Sequence, residues 1–126
     1  MIDVEFVIAI HDEILAQEKG LKGYTNHQAL ASSLERIDNQ MLYDPLDNIF
    51  EIASFYAVAI AKAHAFADGN KRTAMVVMLS YLAIQGVDIQ ADNGLDDVMV
   101  AVASGEIGRE QLAQILMENI QEWANC

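Results

Sequence analysis

The chain has 126 residues, of which 53% are hydrophobic, and its formal net charge is −12. This length suffices for one domain with a buried core and is short for two, so residues 1–126 are predicted to form a single domain. The large excess of Asp and Glu would repel phosphate backbones and anionic lipid, which argues against direct binding of nucleic acid or of a membrane surface.

Nothing in the chain points to secretion, membrane insertion or a structural metal. The one cysteine, Cys126, excludes a disulfide within the chain, and His11 and His27 have no partners at zinc-ligand spacing. The first residues include Asp3 and Glu5 and lack the basic region and apolar core typical of a signal peptide, so none is expected. No apolar stretch reaches the ~20 residues that a membrane span needs. We therefore expect a cytoplasmic protein.

Apolar residues at helical spacing predict the first three helices. In the first, over about 3–18, the residues that share this spacing are Val4, Val7, Ile8, Ile14 and Leu15. Thr25, with Gln28 three residues later, has the form of a capping box and predicts the start of a second helix. Asp44 as N-cap and Pro45 at the first helical position predict the start of a third helix, which ends near His64.

The remaining chain predicts three more helices and one extended segment. A fourth helix is predicted over about 71–86, an extended segment at 87–91 and a turn at 92–94. A short helix over 95–105 and a last helix follow. The apolar stripe assigned to the last helix is Leu112, Ile115, Leu116, Ile120 and Trp123. Because no stretch alternates apolar and polar residues for long, the predicted fold class is all-α, a compact bundle of about six helices.

Nine residues between the third and fourth helices concentrate groups that bind anions. Their sequence is His64-Ala65-Phe66-Ala67-Asp68-Gly69-Asn70-Lys71-Arg72. Gly69 and Asn70 lie at a helix N-terminus, where unpaired N–H groups favour negative charge, so they predict a phosphate cradle. Lys71 and Arg72 add full positive charges at the same place, and an arginine holds two oxygens at once.

The same nine residues also offer a metal ligand and a base. Asp68 is a hard oxygen ligand suited to Mg²⁺ that is shared with phosphate oxygens. A histidine changes protonation near neutral pH, so His64 can take the proton of an incoming hydroxyl. Phe66 is interpreted as a core residue that anchors the loop. Taken alone, His64 would be read as a cation at a helix end, and Lys71 and Arg72 as a solvated first turn.

As a whole, the nine residues resemble the Fic/Doc signature of His, any residue, Phe, any residue, Asp, any residue, Asn, Lys, Arg. The resemblance is closest to the Doc branch, the death-on-curing toxins, and extends to the turn at 20–23, to Gly86 and to the segment 104–107. It implies a compact helical fold, ATP as substrate with Mg²⁺, and transfer of the γ-phosphate to a threonine of elongation factor Tu, which stops translation. It also implies a Phd-like antitoxin as partner.

The resemblance assigns roles to this chain's residues by position. These roles are a base for His64, metal and phosphate ligands for Asp68 and Asn70, phosphate binding for Gly69, Lys71 and Arg72, and a loop anchor for Phe66. Fic enzymes that transfer AMP usually have glycine where Lys71 stands and an arginine where Met75 stands, so the chain favours the Doc reaction.

Two other functions remain open at this stage. Gly69 is typical of the loop of AMP-transferring enzymes, which keeps protein adenylylation as an alternative. The chain could also be a catalytically silent module bound by an antitoxin, although an intact set of loop residues argues against it. The self-inhibitory helix signature of many Fic proteins is absent from the sequence, so inhibition is expected to come from another chain.

Overall fold

The computed structural model describes residues 2–17, 23–89 and 94–123. The elements in these ranges are α1 (Val4–Gln17), α2 (His27–Tyr43), α3 (Ile49–Ala63), α4 (Asn70–Ile84), β1 (Val87–Ile89), α5 (Leu95–Ser104), α6 (Arg109–Glu118) and β2 (Ile120–Trp123). The predicted class is confirmed, with six helices and one two-stranded ribbon in these ranges. The predicted helix end at 18 and the positions 90–93 lie outside the described residues.

The centre of the bundle is α3, which packs against α2, α4, α5 and α6. Its sequence is apolar on most faces, as expected for a helix with neighbours all round, and Ala53, Tyr56 and Ala57 have no exposed surface. On the outer side, α1 packs on α4 and α2. No helix in the described ranges is long and apolar enough to cross a bilayer. The end of α3 and the start of α4 are therefore held by a continuous apolar core.

The second helix does not use the predicted cap, Thr25. Its N-cap is Asn26, whose side-chain oxygen accepts a hydrogen bond of 3.0 Å from the N–H of Ala29. Thr25 lies in an isolated antiparallel bridge with Phe66. Thr and Asn both cap helices well, and the backbone pairing of Thr25 with a distant loop decides between them.

The predicted start of the third helix at Asp44 and Pro45 is also wrong. Asp44 is the C-cap of α2, and four residues without regular structure follow before α3. The N-cap of α3 is Asn48, whose side-chain oxygen accepts from the N–H groups of Phe50 and Glu51 at 2.8 and 3.3 Å. Asp-Pro is a good local start signal, but Asn48 satisfies two N–H groups that the helix leaves unpaired.

At the C-terminal end, the spacing of Ile120 and Trp123 predicts that both belong to the last helix, and this prediction is wrong. That helix ends at Glu118, and β2 follows at once and pairs antiparallel with β1. In the backbone register of the ribbon, Val87 is paired with Trp123 and Ile89 with Ile120. The predicted extended segment is thus confirmed where it is described, and its pairing overrides the helical spacing of the residues that follow α6.

Candidate active site

The motif loop, residues 64–69, joins α3 to α4. The third helix ends at Ala63 as predicted, and His64 is its C-cap with φ 49° and ψ 41°, the one non-glycine residue with positive φ in the described ranges. Gly69, with φ 84° and ψ 14°, is the N-cap of α4. The His64 side chain is exposed, and it makes no hydrogen bond or ion pair to the described residues. Its ring is therefore accessible to a substrate.

The middle of the motif loop is buried and pairs with the chain before α2. Ala65 and Phe66 are each 1% exposed. The N–H of Asn26 donates to the carbonyl of Ala65 at 2.6 Å, and the N–H of Ala67 donates to the carbonyl of Tyr24 at 3.3 Å. This strand-like pairing fixes the backbone that lies between the exposed His64 and the charged residues of α4.

Asn70 closes the motif loop on itself. Its side-chain oxygen accepts from the N–H of Phe66 at 3.2 Å, and its side-chain nitrogen donates to the carbonyl of Phe66 at 2.9 Å. Both polar atoms of this amide thus bind the loop backbone. The role of the Asn70 side chain toward metal or phosphate stays a prediction, while the residue itself occupies the first turn of α4.

The charged groups of the motif meet at the first turn of α4. The Oδ1 atom of Asp68 accepts from the N–H of Gly69 at 2.8 Å and lies 3.6 Å from a guanidinium nitrogen of Arg72. The side chains of Asp68 and Arg72 are 45% and 35% exposed, and Lys71 is exposed. Gly69 has no side chain to cap the helix, so carboxylate, cations and helix N–H groups lie together where an anion can approach.

The residues fit a magnesium ion that is bound together with phosphate. Within the described residues, no group of three or more His, Cys, Asp or Glu could hold a metal ion alone. Mg²⁺ is commonly bound through one or two carboxylates plus substrate phosphates and water. Asp68 supplies one such carboxylate beside the cations of α4.

A surface cleft of about 540 Å³ opens beside Lys71 and Arg72, between α1, α4 and α5. Its other lining residues are Ile14, Met75, Val76, Asp96, Met99 and Val100. Its size lies in the range of small-molecule sites, and its walls are mostly apolar. A cleft with cations at one side and apolar walls suits a ligand that has both an anionic and an apolar part.

Sequence reasoning missed His11, which α1 places against the motif loop. Its side chain is fully buried and its ring stacks on that of Phe66, with centroids 3.8 Å apart and an interplanar angle of 8°. Its Nε2 lies 2.9 Å from the carbonyl oxygen of Asp68, and its Nδ1 lies 3.1 Å from a carboxylate oxygen of Asp12. The available signal was its position one turn after the buried Val7, on the apolar stripe of α1.

Comparisons with known proteins agree with this geometry. The model of the Fic/DOC family matches residues 1–82. A protein named protein kinase doc, from Escherichia phage P1, is 33% identical over 115 residues, 91% of each chain. Toxin Doc of Mycolicibacterium smegmatis (strain ATCC 700084 / mc(2)155) is 33% identical over 73 residues, 56% of each chain. The matched region contains α3, the motif loop and most of α4, and the chain belongs to the Fic/DOC family.

Proposed function

We propose that this chain is a toxin that acts as a protein kinase, transferring the γ-phosphate of ATP to a threonine hydroxyl of a translation factor. The first candidate acceptor is elongation factor Tu, which would place the reaction in the cytoplasm. The names of the relatives, a protein kinase and a toxin, support this proposal. The observation that carries it is the pair of Asp68 and Arg72 at the start of α4, which has no side-chain cap, with the exposed His64 at the other end of the motif loop.

In the proposed reaction, His64 is the base. The hydroxyl oxygen of the acceptor forms a bond to the γ-phosphorus, the bond from that phosphorus to the β–γ bridging oxygen breaks, and ADP leaves. The hydroxyl proton passes to the imidazole of His64. Since the ring is exposed at the end of α3, the side chain of another protein can reach it.

Phosphoryl transfer depends mainly on positioning and on neutralisation of phosphate charge. In this proposal Lys71, Arg72 and the N–H groups of the first turn of α4 neutralise the ATP phosphates. Bound Mg²⁺ would supply further charge neutralisation at the phosphate oxygens, and Asp68 is the residue that would hold it. The N–H of Gly69 and the Arg72 guanidinium keep the Asp68 carboxylate at the edge of this turn.

Protein adenylylation is the second candidate, and Gly69 is the residue that favours it. In that reaction the hydroxyl would attack the α-phosphorus and pyrophosphate would leave. The cleft beside the motif loop has Met75 at the position where AMP-transferring relatives carry an arginine. Because no second arginine is present there, the kinase reaction is preferred.

The proposal includes a Phd-like antitoxin as the natural inhibitor. The net charge of −12 suits a partner segment rich in basic residues. The sequence has no self-inhibitory helix signature, so the inhibitor is expected to be a separate chain.

The bond that breaks can be determined with labelled ATP. The purified protein, with Mg²⁺ and no antitoxin, is incubated with elongation factor Tu or with a bacterial lysate, using ATP labelled at either the γ- or the α-phosphate. We expect only the γ-label on the acceptor. His64→Ala should abolish the transfer and keep Mg²⁺–nucleotide affinity within roughly tenfold.

The matched control is His27→Ala, which removes an exposed histidine of α2 and should keep full transfer. Transfer of the α-label would instead establish adenylylation. Transfer of neither label would contradict both reactions and favour the silent module.

A further inference from the structure

We propose that His11 is a positioning residue for the motif loop: from α1 it sets the main chain at Asp68 and thereby the direction of the Asp68 carboxylate. Its effect on transfer rests on the proposed function, whereas its effect on loop geometry can be measured without ATP. His11 does not touch the reacting groups in this assignment and acts only through Asp68.

The central contact is a hydrogen bond from α1 to the main chain of the loop. The Nε2 atom of His11 lies 2.9 Å from the carbonyl oxygen of Asp68, and these residues are 57 positions apart. A carbonyl oxygen only accepts, so Nε2 carries the hydrogen. The His11 side chain is fully buried, so water does not compete for this bond. The peptide that leads into Gly69 is thus held from outside the loop.

The ring of His11 also packs against the residues on both sides of Asp68. It stacks on Phe66 at 3.8 Å, and a Cβ placed on Gly69 would lie 3.5 Å from its Cδ2 atom. The pairing with 24–26 holds the loop at Ala65 and Ala67, and the Asn70 amide holds Phe66. His11 continues this support into the turn that carries the carboxylate.

Both nitrogen atoms of the His11 ring have a neighbouring oxygen. Nδ1 lies 3.1 Å from a carboxylate oxygen of Asp12, which is the next residue on α1, while Nε2 faces the carbonyl of Asp68. The hydrogen bond from Nε2 to the Asp68 carbonyl and the stack on Phe66 together restrict the ring to one placement. Because α1 packs on α4 and carries His11, the position of α1 determines where the turn at Asp68 is held.

Two substitutions separate the hydrogen bond from the packing. His11→Gln keeps an N–H donor at about the place of Nε2 and loses the stacked ring. His11→Phe keeps the stacked ring and loses the donor. If His11 positions Asp68, the Phe variant loses transfer although it keeps the stacked ring, and the Gln variant keeps transfer although it melts lower.

The kinetic expectation is specific to a misplaced carboxylate. In His11→Phe, kcat should fall by about 10–100-fold, the magnitude that small displacements produce. The KM for the acceptor protein should stay within roughly threefold, and half-maximal activity should need more Mg²⁺. A purely structural role predicts the reverse order, with transfer following thermal stability. That order would overturn the proposal.

Nuclear magnetic resonance provides a readout that needs neither ATP nor Mg²⁺. The carbonyl ¹³C signal of Asp68 and the amide signal of Gly69 should shift in His11→Phe and stay near wild type in His11→Gln. Unchanged signals in the Phe variant would contradict the proposal. If the wild type shows no transfer, the proposed function fails, while these signals still test the positioning of the loop.

The wild-type protein gives a check that does not depend on the folding of any variant. In protein with ¹⁵N-labelled histidine, Nε2 of His11 should carry a hydrogen that exchanges slowly with water, because it donates to a buried carbonyl. An Nε2 without hydrogen, or one that exchanges like that of the exposed His27, would contradict the assignment.

Discussion

His64 occupies a backbone conformation that suits glycine better than histidine. Its φ of 49° ends α3 in the left-handed region, which costs an L-residue about 1–2 kcal/mol. A glycine at this position would avoid this cost, although it would also raise the conformational entropy of the unfolded chain, which lowers stability. The exposed imidazole at this point is therefore retained at the expense of stability, as strained residues at functional sites often are.

We predict that His64→Gly raises the free energy of unfolding by about 1 kcal/mol and abolishes transfer. Urea unfolding followed by circular dichroism measures the first effect, and the labelled-ATP assay measures the second. His64→Ala is the control, because alanine keeps the strained φ and should unfold like the wild type. Equal stability of the Gly and Ala variants would show that the left-handed cap is not strained.

Asp68 and Arg72 are predicted to act as a coupled pair. Arg72→Ala and Asp68→Ala should each weaken nucleotide binding and lower transition-state stabilisation by about 2–4 kcal/mol, since each removes a charge contact. Their carboxylate and guanidinium lie 3.6 Å apart, so the double variant should lose less than the sum of the two.

The measurement for this pair is kcat/KM in a double-mutant cycle. Arg36→Ala is the matched control, because it removes an exposed arginine of α2 and should leave kcat/KM unchanged. Strict additivity would mean that Asp68 and Arg72 act independently. Unchanged activity in Arg72→Ala would place the phosphate site elsewhere.

At the scale of elements, the start of α3 distinguishes the sequence-based prediction from the structure. Asn48 accepts from two N–H groups of the first turn, whereas Asp44 belongs to the end of α2. Asn48→Ala should lower the free energy of unfolding by about 1 kcal/mol, the usual cost of losing an N-cap. Asp44→Ala is the control, and urea unfolding of the two variants is the test. Asp44→Ala should change stability by much less, and a larger loss in Asp44→Ala would contradict the observed cap.

The elements also show which local signals decide a structure. Gly69, with φ 84°, precedes α4, and Gly105, with φ 88°, ends α5. Both boundaries agree with the sequence-based prediction to within one or two residues. Helix starts are less well predicted, because Thr25 and Asp44 are as good local caps as the Asn residues that cap α2 and α3. Where several residues suit one role, their other contacts decide.

At the scale of the whole molecule, Tyr56 joins three parts of the chain. Tyr56 lies on α3 and has no exposed surface. Its ring centroid is 5.7 Å from that of Tyr81 on α4, and its hydroxyl oxygen accepts a hydrogen bond of 3.3 Å from the N–H of Ile2. The pKa of Tyr56 is raised to about 12, chiefly by burial; the Ile2 hydrogen bond lowers it, and Asp38 and Tyr81 contribute to raising it. Burial also raises the pKa of Tyr81.

We predict that this tyrosine makes the fold sensitive to alkali. The pKa of Tyr56 is raised above its unfolded value of 10.0, so above pH 10 the unfolded chain releases a proton that the folded chain keeps. Its contribution to stability is therefore complete below pH 10 and is lost as pH rises toward 12. The difference between the two pKa values corresponds to up to about 3 kcal/mol.

Urea unfolding at several pH values between 9 and about 12 measures this effect. Tyr56→Phe should reduce the dependence of the free energy of unfolding on pH, leaving the smaller contribution of Tyr81. An unchanged slope in that variant would assign the alkaline loss of stability to other groups.

The sequence by itself determined the family, the helical class and the position of the motif loop. These depend on residues close together in the chain: apolar stripes within one helix, and a signature that runs from His64 to Arg72. Such features predict local structure because the interactions that produce them span only a few residues. The same reasoning identified Asp68 and Arg72 as neighbours, which the first turn of α4 confirms.

Only the tertiary structure decided what holds that loop. His11 contacts Asp68 across 57 positions, Thr25 bridges to Phe66, and β2 pairs with β1 where the local spacing predicts helix. A buried polar atom needs a hydrogen-bond partner, but which partner reaches it depends on how the helices pack. In the sequence, His11 is an isolated histidine on an apolar stripe, and only the packing of α1 on α4 brings its ring to the loop.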